Sequence, residues 1–188
     1  RRRIALPAME SLPVTLADVQ AARDVLAGVV TTTPLEHSRG LSERVGVPVY
    51  LKCENLQRAG SFKIRGAYTR MFRLAEAERA RGVVAASAGN HAQGVALAAQ
   101  LLGISATVFM PVGAPLPKLA ATRAYGATVQ LHGATLDEAL VAALEYAAST
   151  GAVLIHPFDH ADIVAGQGTC GLEILEQRPD VKTILVST

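Results

Sequence analysis

Short apolar runs that recur at a regular interval constrain the fold of this chain more than any other feature. They begin near Val83, Ala106, Thr128 and Val153, 22 to 25 residues apart, and a helix-length segment follows each of the first three. Strand, helix and strand at this spacing are typical of the crossover connections that build a parallel sheet. We therefore predict a four-stranded α/β unit over residues 66–158.

The helices predicted within this unit have clear boundaries. Thr135 and Glu138 form a capping-box pattern at the start of one helix, and Gly151 follows its end. Pro115 stands near the start of the preceding helix and Gly126 at its end, which is the asymmetry that helices prefer. Composition agrees, because 50% of the residues are hydrophobic but only 4% are aromatic, as expected for aliphatic side chains on a buried parallel sheet.

Further elements are predicted on either side of the unit. We predict a helix over residues 15–27, with Thr15 as its cap and Asp18 three positions later in a capping-box pattern. We also predict a short strand over 47–53, a long helix over 61–81 and another helix over 163–177. Residues 182–186 are interpreted as one more buried strand, which would leave a sheet edge uncovered where the sequence stops. We therefore expect the chain to be part of a longer protein.

Charge and cysteine usage exclude several classes of function. The net charge is only +2, so we expect no nucleic-acid partner, and the basic run Arg1 to Arg3 is interpreted as a frayed tail. No stretch reaches the roughly 18 apolar residues that span a bilayer, so we expect no membrane partner. Cys53 and Cys170 lie far apart in the sequence and lack metal-ligand spacing. This usage fits a reduced cytoplasmic protein, but it is also compatible with one disulfide bond between them.

The string from Ser61 to Gly66 contains the first candidate for chemistry. Lys63 stands between Phe62 and Ile64 at the start of a predicted helix, so apolar neighbours would lower the pKa of its amine. A neutral amine is what a Schiff base with an aldehyde requires. The alternative is a helix-face lysine whose stem covers apolar surface while its ammonium reaches water, and the local sequence alone favours that alternative.

The loop from Ser87 to Gly94 is the second candidate. It follows a predicted strand that ends near Ala86, at the carboxyl end of a parallel strand, where ligands of open α/β sheets bind. N–H groups at the N-terminus of the next helix favour an anion, Gly89 allows close approach of a ligand, and Asn90 offers both a donor and an acceptor. The alternative is a capped helix with Asn90 as its N-cap.

Together the two strings resemble a known family. Residues 53–67, CENLQRAGSFKIRGA, are similar to the cofactor-lysine segment of the threonine and serine dehydratases, which are pyridoxal-phosphate enzymes of the tryptophan-synthase-β-like fold (fold type II). Residues 87–94 resemble the asparagine loop of the same family, and GQGT at 166–169 recurs there at the start of a helix. The likeness extends over about residues 15–186.

The resemblance implies an architecture and partners. In this fold, residues 66–158 would form a small α/β domain with a parallel sheet, inserted into an incomplete larger α/β domain made of residues 1–65 and 159–188. The cofactor would be pyridoxal 5'-phosphate, and the substrate a small amino acid. The full-length protein would be a homo-oligomer, either a dimer or a tetramer.

The resemblance also implies residue roles. Lys63 would bind the cofactor and carry the α-proton of the substrate, Phe62 would pack near the pyridine ring, and Asn90 would bind the 3′-oxygen of that ring. The residues that would bind the substrate carboxylate, mostly through their backbone, are Ser87, Ala88, Gly89, Asn90 and His91. The implied reaction is loss of the β-hydroxyl of L-threonine to give 2-oxobutanoate and ammonia, with L-serine and pyruvate as a second pair. A biosynthetic role (isoleucine) and a catabolic role both stay open.

Two departures from the family pattern qualify this function. The family's glycine-rich phosphate loop and a serine that faces the pyridine nitrogen would both lie beyond Thr188, so we expect residues 1–188 alone to bind the cofactor weakly. An inert or interaction fragment is therefore the alternative. In the related serine racemases, a serine at the position of Ala88 returns a proton to the ring face opposite the lysine, so we expect elimination to exceed racemisation here.

Two other patterns carry weaker interpretations. Residues 166–171 fit G-x-G-x-x-G, but no strand ends directly before them and no acidic residue stands about 20 positions later. Tight helix packing is the preferred explanation, and a Rossmann-type nucleotide module the weakest candidate function. His156 and His160 have a helical ligand spacing, but Pro157 argues against a helix, so no metal site is predicted.

Overall fold

Helices and strands alternate along residues 14–186, the part of the chain that the computed structural model describes. In chain order they are α1 (Leu16–Val25), β1 (Leu35–His37), α2 (Arg39–Val45), β2 (Tyr50–Lys52), α3 (Lys63–Phe72), α4 (Glu76–Arg81), β3 (Val83–Ala86), α5 (Asn90–Leu102), β4 (Ala106–Met110), α6 (Leu116–Ala124), β5 (Thr128–Leu131), α7 (Leu136–Thr150), β6 (Val153–Leu154) and α8 (Ala161–Gln177). None of these helices is long and apolar enough to cross a membrane. The basic run at residues 1–3 lies outside the described residues.

Strands β3 to β6 form a parallel sheet in the order β5-β4-β3-β6. The strands begin at Val83, Ala106, Thr128 and Val153, which confirms the four predicted runs. From β3 the chain adds β4 and β5 on one side, then returns to place β6 on the other side. The sheet therefore has a topological switch point between β3 and β6, and the carboxyl edge of such a point is where α/β sheets bind ligands.

Alternate residues of the central strand β3 point to opposite faces of the sheet. Val83 and Ala85 pack with α3 and α5 in the larger apolar core, whereas Val84 and Ala86 pack against α7. All four residues are buried, which explains why this run is apolar throughout. On the first face, α8 packs against α3, and α1 packs against α8.

The segment before β3 departs from the predictions in two places. The strand predicted over residues 47–53 is shorter, as β2, and it pairs antiparallel with β1, which was not predicted. The helix predicted over residues 61–81 is two helices, α3 and α4. A turn between them buries Leu74 in the core, and the Glu78 carboxylate then accepts the N–H of Ala75 at the start of α4.

The buried strand predicted over residues 182–186 is wrong. Residues 181–186 pair with no strand within 14–186, and Leu185 and Val186 are 92% and 73% exposed. A strand needs partners for its backbone N–H and C=O groups, and the described part of the chain offers none at this place. In this structure the segment therefore lies on the surface without regular secondary structure.

Two predicted capping boxes have different outcomes. In the first, Thr15 Oγ1 accepts the N–H of Asp18 and the Asp18 carboxylate accepts the N–H of Thr15, so the prediction is confirmed. In the second, Thr135 Oγ1 accepts the N–H of Glu138, but the Glu138 carboxylate accepts the N–H of Ala134 instead. The helix begins at the predicted place in both cases.

Helices α3 and α8 approach each other closely at two glycines. A Cβ at Gly166 would lie 2.5 Å from the carbonyl oxygen of Arg65, and a Cβ at Gly66 would lie 2.9 Å from the carbonyl oxygen of Ile163. The G-x-G-x-x-G pattern therefore lies inside α8. Its glycine at position 166 permits close helix packing, which is the explanation that the sequence analysis preferred to a nucleotide site. The helix predicted over 163–177 is confirmed as α8, which begins two residues earlier.

Gly166→Ala should destabilise the protein by about 1–3 kcal/mol, because the added methyl would meet backbone atoms that cannot move independently. Gly171→Ala on the same helix is the matched control, since its Cβ would meet no heavy atom within 4 Å. Helix propensity predicts that this control gains roughly 0.5–1 kcal/mol. Urea unfolding followed by circular dichroism measures both variants. Equal stabilities would contradict the close packing of α3 on α8.

Candidate active site

Two loops leave the carboxyl edge of the sheet on either side of its switch point. Residues 87–89 connect β3 to α5, and residues 155–160 connect β6 to α8. Lys63, the first residue of α3, and His91, in the first turn of α5, both donate hydrogen bonds to the second loop. The two strings singled out in the sequence therefore meet beside the second loop, at the switch point where α/β sheets bind ligands. We call this region, formed by Lys63 and by residues 87–91 and 155–160, the crevice.

The amine of Lys63 is held in a partly buried position. Its Nζ donates to the carbonyl oxygen of Pro157 at 2.9 Å and lies 5.2 Å from the centre of the Phe62 ring. Burial lowers the pKa of this amine, because desolvation disfavours the ammonium form. A larger neutral fraction makes Lys63 a better nucleophile toward an aldehyde, and the contact with Pro157 disfavours the alternative of a head group free in water.

A close contact between α3 and α5 fixes the backbone of Lys63. A Cβ at Gly94 would lie 3.0 Å from the carbonyl carbon of Lys63 and 3.1 Å from the backbone nitrogen of Ile64. The Ser61 hydroxyl also accepts the N–H of Lys63, at 3.4 Å. Glycine at position 94 thus allows the lysine to lie beside the first turns of α5.

The N-terminus of α5 has no capping side chain among residues 14–186. Its N-cap is Gly89, where a Cβ would meet no heavy atom within 4 Å, and Ser87 Oγ accepts the N–H of Gly89 at 3.2 Å. Ala88 packs partly against the core. Asn90 is the first residue of the helix, so its interpretation as N-cap is wrong. The first N–H groups of α5 are therefore available to an anion, and space is open beside them.

His91 joins α5 to the loop after β6. Its Nε2 lies 2.9 Å from the carbonyl oxygen of Ile155, and because a carbonyl can only accept, the ring donates through Nε2–H. Burial lowers the pKa of His91 to about 4, and the hydrogen bond to Ile155 offsets this only in part. His91 is therefore neutral at neutral pH.

The neutral state of His91 predicts a loss of stability in mild acid. Between its unfolded pKa of 6.5 and its folded pKa of about 4, the unfolded chain binds a proton here and the folded protein does not. Stability therefore falls as pH falls through this window, by roughly 2 kcal/mol between about pH 7 and about pH 5. Urea unfolding at both pH values measures this. His91→Gln keeps a donor for Ile155 without titrating, and an equal acid effect in that variant would contradict the prediction.

Arg65, two residues after Lys63 on α3, lies in a buried ion network. Its guanidinium donates to Glu54 at 2.8 Å and to Glu173 at 2.7 Å, and Lys52 donates to Glu173 at 2.6 Å. Burial alone would lower the pKa of Arg65, but the hydrogen bonds to both carboxylates outweigh burial and raise it. Burial alone would raise the pKa of Glu173, but the hydrogen bonds from Arg65 and Lys52 lower it. The ionised network ties α3 to α8 and to the segment after β2.

Sequence reasoning missed two parts of this arrangement. The carbonyl groups of Ile155 and Pro157 follow a predicted strand at the same sheet edge as Ser87, so the signal for them was present in the repeat. The ion network joins Arg65 to Glu173, 108 positions away, and no local pattern indicates such a pair.

Other polar groups near the crevice have structural partners. The ring nitrogens of His156 and His160 accept backbone N–H groups, and His160 thereby caps α8. Within the described range 14–186, no group of three His, Cys, Asp or Glu side chains could hold a metal ion. Cys53 and Cys170 are both free thiols.

A comparison with known families matches most of the chain. The sequence profile described as pyridoxal-phosphate dependent enzyme matches residues 26–188. The chain belongs to this family. The resemblance of its two strings to pyridoxal-phosphate enzymes is thereby confirmed.

The chain is similar to particular members of the pyridoxal-phosphate family. The L-threonine ammonia-lyase of Thermotoga maritima is 57% identical over 173 residues, 92% of this chain and 43% of that protein. The structure of maize serine racemase has a TM-score of 0.86 at 38% identity, covering 90% of this chain and 51% of that one. The threonine deaminase isoform 2 of Solanum lycopersicum has a TM-score of 0.83 at 46% identity, covering 88% and 45%. The chain thus has the fold type II architecture and spans about half the length of the relatives it matches.

The residues of the crevice fit pyridoxal phosphate. An aldehyde needs an amine that is partly neutral, and burial of Lys63 provides it. An anionic oxygen needs a donor, and the Asn90 amide and the uncapped N-terminus of α5 offer donors. The open space beside Gly89 allows a ligand to approach these groups.

Proposed function

We propose that this chain forms the lysine-bearing part of an L-threonine ammonia-lyase, which converts L-threonine to 2-oxobutanoate and ammonia. The observation that carries the proposal is 57% identity to an L-threonine ammonia-lyase over 92% of the chain. The partly buried amine of Lys63 beside the uncapped N-terminus of α5 supports it. Because the chain spans about half of its relatives, the proposal concerns a longer protein that contains it.

Lys63 has two proposed roles. Its amine would hold the aldehyde carbon of pyridoxal phosphate until the substrate amine displaces it, and the freed Nζ would then take up the α-proton of the substrate. The cofactor, when bound, supplies an electron sink for the negative charge that develops at the substrate α-carbon. Phe62, whose ring lies beside the amine, would keep this region apolar and sustain the lowered pKa of Lys63.

The loop of residues 87–91 is the proposed site for the substrate carboxylate. Backbone N–H groups at the start of α5 would donate to the carboxylate, and the helix dipole would favour its negative charge. The His91 side chain would hold this turn in place by donating to the carbonyl oxygen of Ile155, and it would not itself donate to the carboxylate. Asn90 would donate from its amide to the 3′-oxygen of the pyridine ring.

The proposed reaction balances without a redox partner. Loss of the α-proton and the β-hydroxyl removes water from L-threonine and leaves an enamine, which tautomerises to an imine. A second water molecule then hydrolyses this imine. The products are 2-oxobutanoate and ammonia, so the elimination water returns in the second step. L-Serine would give pyruvate in the same way.

We propose that the full-length protein is a homo-oligomer, that it acts in the cytoplasm, and that residues 66–158 form a domain inserted between 1–65 and 159–188. We also propose that L-serine is the second substrate. The free thiols of Cys53 and Cys170 fit a reducing compartment. The inert-fragment alternative gains no support from the site, because the crevice keeps every group that the proposed chemistry uses on this chain.

Assay of the full-length protein tests the proposal. Incubation with L-threonine and pyridoxal phosphate should release 2-oxobutanoate and ammonia in equal amounts, measured by mass spectrometry and an ammonia assay. L-Serine and L-threo-3-hydroxyaspartate serve as comparison substrates. Cofactor-dependent turnover of either of these without turnover of L-threonine would replace the proposed substrate, and no turnover of any would refute the activity.

Elimination should exceed racemisation because position 88 is alanine. Returning a proton to the face opposite Lys63 needs a second acid–base group, and the methyl of Ala88 can neither donate nor accept a proton. Chiral chromatography of L-serine after incubation should show much less D-serine than ammonia. Ala88→Ser should raise racemisation, whereas Ala148→Ser, at an exposed position of α7, should not. A rate of D-serine formation equal to that of ammonia in the unmodified protein would contradict the prediction.

A further inference from the structure

Lys118 makes an exposed contact with Asn90 that the proposed function does not use. Its Nζ donates to Oδ1 of Asn90 at 2.6 Å, which joins the first turn of α6 to the first residue of α5. The backbone of Lys118 is fixed, because its N–H donates to the carbonyl of Pro115 and its own carbonyl accepts from Thr122 Oγ1. Thr122 is fully buried. The ammonium therefore reaches Asn90 from a rigid base.

The position of Lys118 is electrostatically unfavourable for a structural lysine. It lies in the first turn of α6 and its head group reaches the first residue of α5, so the cation faces two helix N-termini, where positive charge is destabilising. No carboxylate of residues 14–186 forms an ion pair with it. Its polar partner there is the Asn90 amide. Neither an ion pair nor the helix dipoles therefore explain the position of this cation.

We propose that Lys118 is a positioning residue that fixes the orientation of the Asn90 amide for cofactor binding. This inference rests on the proposed role of Asn90 as a donor to the pyridine 3′-oxygen. An ammonium can only donate, so the amide atom beside Lys118 must be the oxygen. The amide nitrogen then points away from Lys118, with its two N–H groups available to another acceptor.

Loss of this constraint would let the Asn90 amide rotate. A free amide can present either its oxygen or its nitrogen, and only the nitrogen can donate to a 3′-oxygen, which is an acceptor. When the oxygen is presented instead, two acceptors face each other and the hydrogen bond is lost. Lys118 thus selects the productive orientation before the cofactor arrives, which removes an ordering cost from binding.

A double-mutant cycle on the full-length protein tests the inference. Lys118→Met keeps the apolar stem and removes the donor, and we expect it to raise the dissociation constant for pyridoxal phosphate about three- to tenfold. The visible absorbance band of the bound cofactor should shift in the same variant. In the Asn90→Ala background, Lys118→Met should have no further effect on either readout, because Lys118 acts through Asn90.

Two further variants and one spectroscopic measurement sharpen the test. Lys118→Arg retains a donor and should restore cofactor affinity and absorbance, whereas Arg123→Met, which removes an exposed charge from the same helix, should change neither. Nuclear magnetic resonance of the cofactor-free protein should show the Asn90 side-chain amide exchanging faster in Lys118→Met than in the unmodified protein. Unfolding midpoints of all variants exclude a loss of structure as the cause.

The outcomes separate this inference from the proposed function. If the unmodified protein binds pyridoxal phosphate and deaminates L-threonine, but Lys118→Met binds with unchanged affinity, the inference alone is overturned. Equal effects of Lys118→Met with and without Asn90 also overturn it, since they would mean that Lys118 contacts the cofactor directly. A full-length protein that binds no pyridoxal phosphate overturns both.

Discussion

Lys63→Ala should lower turnover of L-threonine by the full-length protein about a thousandfold or more, because it removes a proton carrier and a covalent attachment point together. The Nζ of Lys63 is held against Pro157 in the crevice with a lowered pKa. No other lysine has this placement among the described residues. Lys52 is ion-paired to Glu173, and Lys118 contacts Asn90. The variant should also lack the visible absorbance of covalently bound pyridoxal phosphate.

Borohydride reduction and peptide mapping locate the attachment directly. The reduced cofactor should appear on the peptide that contains Lys63. Label on Lys52 or Lys118 instead would refute the assignment, whatever the activity of the alanine variant. Lys182→Ala is the matched control, because Lys182 is exposed and lies outside the crevice, and it should keep both label and turnover.

Arg65→Met should destabilise the protein by about 3–5 kcal/mol, because it leaves the carboxylates of Glu54 and Glu173 without their guanidinium partner in a buried place. The Arg65 side chain is 1% exposed, so water cannot replace the lost hydrogen bonds. Lys52 would still pair with Glu173, but Glu54 would lose its ionic partner. Urea unfolding followed by circular dichroism measures the loss.

A surface arginine gives the comparison for this effect. Arg39 pairs with Glu43 at 3.6 Å with both side chains largely exposed, so Arg39→Met should change stability by less than about 0.5 kcal/mol. A loss of similar size in both variants would mean that the Arg65 network contributes no more than a surface pair. Because Lys63 and Arg65 share a helix, Arg65→Met should also weaken cofactor binding in proportion to the disorder it causes in α3.

The sequence predicted well those features that depend on neighbouring residues. Thr15 and Asp18 are three positions apart and form their capping box as expected. The apolar runs of the sheet were found because each strand buries both faces, which leaves a continuous signal such as Val83 to Ala86. The two strings of the crevice were found for a different reason, their resemblance to a family.

Features that depend on distant partners were missed or wrong. β1 is short and half exposed, and only its pairing with β2 makes it a strand. Residues 182–186 have the composition of a strand but no partner within the described residues. In the sequence, nothing distinguishes Arg65 from an exposed charged residue on a helix. Its partners Glu54 and Glu173 lie 11 and 108 positions away. The alternative interpretation of Asn90 as the N-cap of α5 was wrong, and its amide oxygen accepts from Lys118 on another helix.

The separation of the two sheet faces matters for anyone who wants to use this protein on a solid support. Helix α7 packs on the face opposite α3 and α5, and Glu145 is exposed on it. An unnatural azide side chain introduced at position 145 would tether every molecule through that helix. Each crevice would then have the same orientation relative to the support, so access of amino acid to an immobilised layer would not be an average over random orientations.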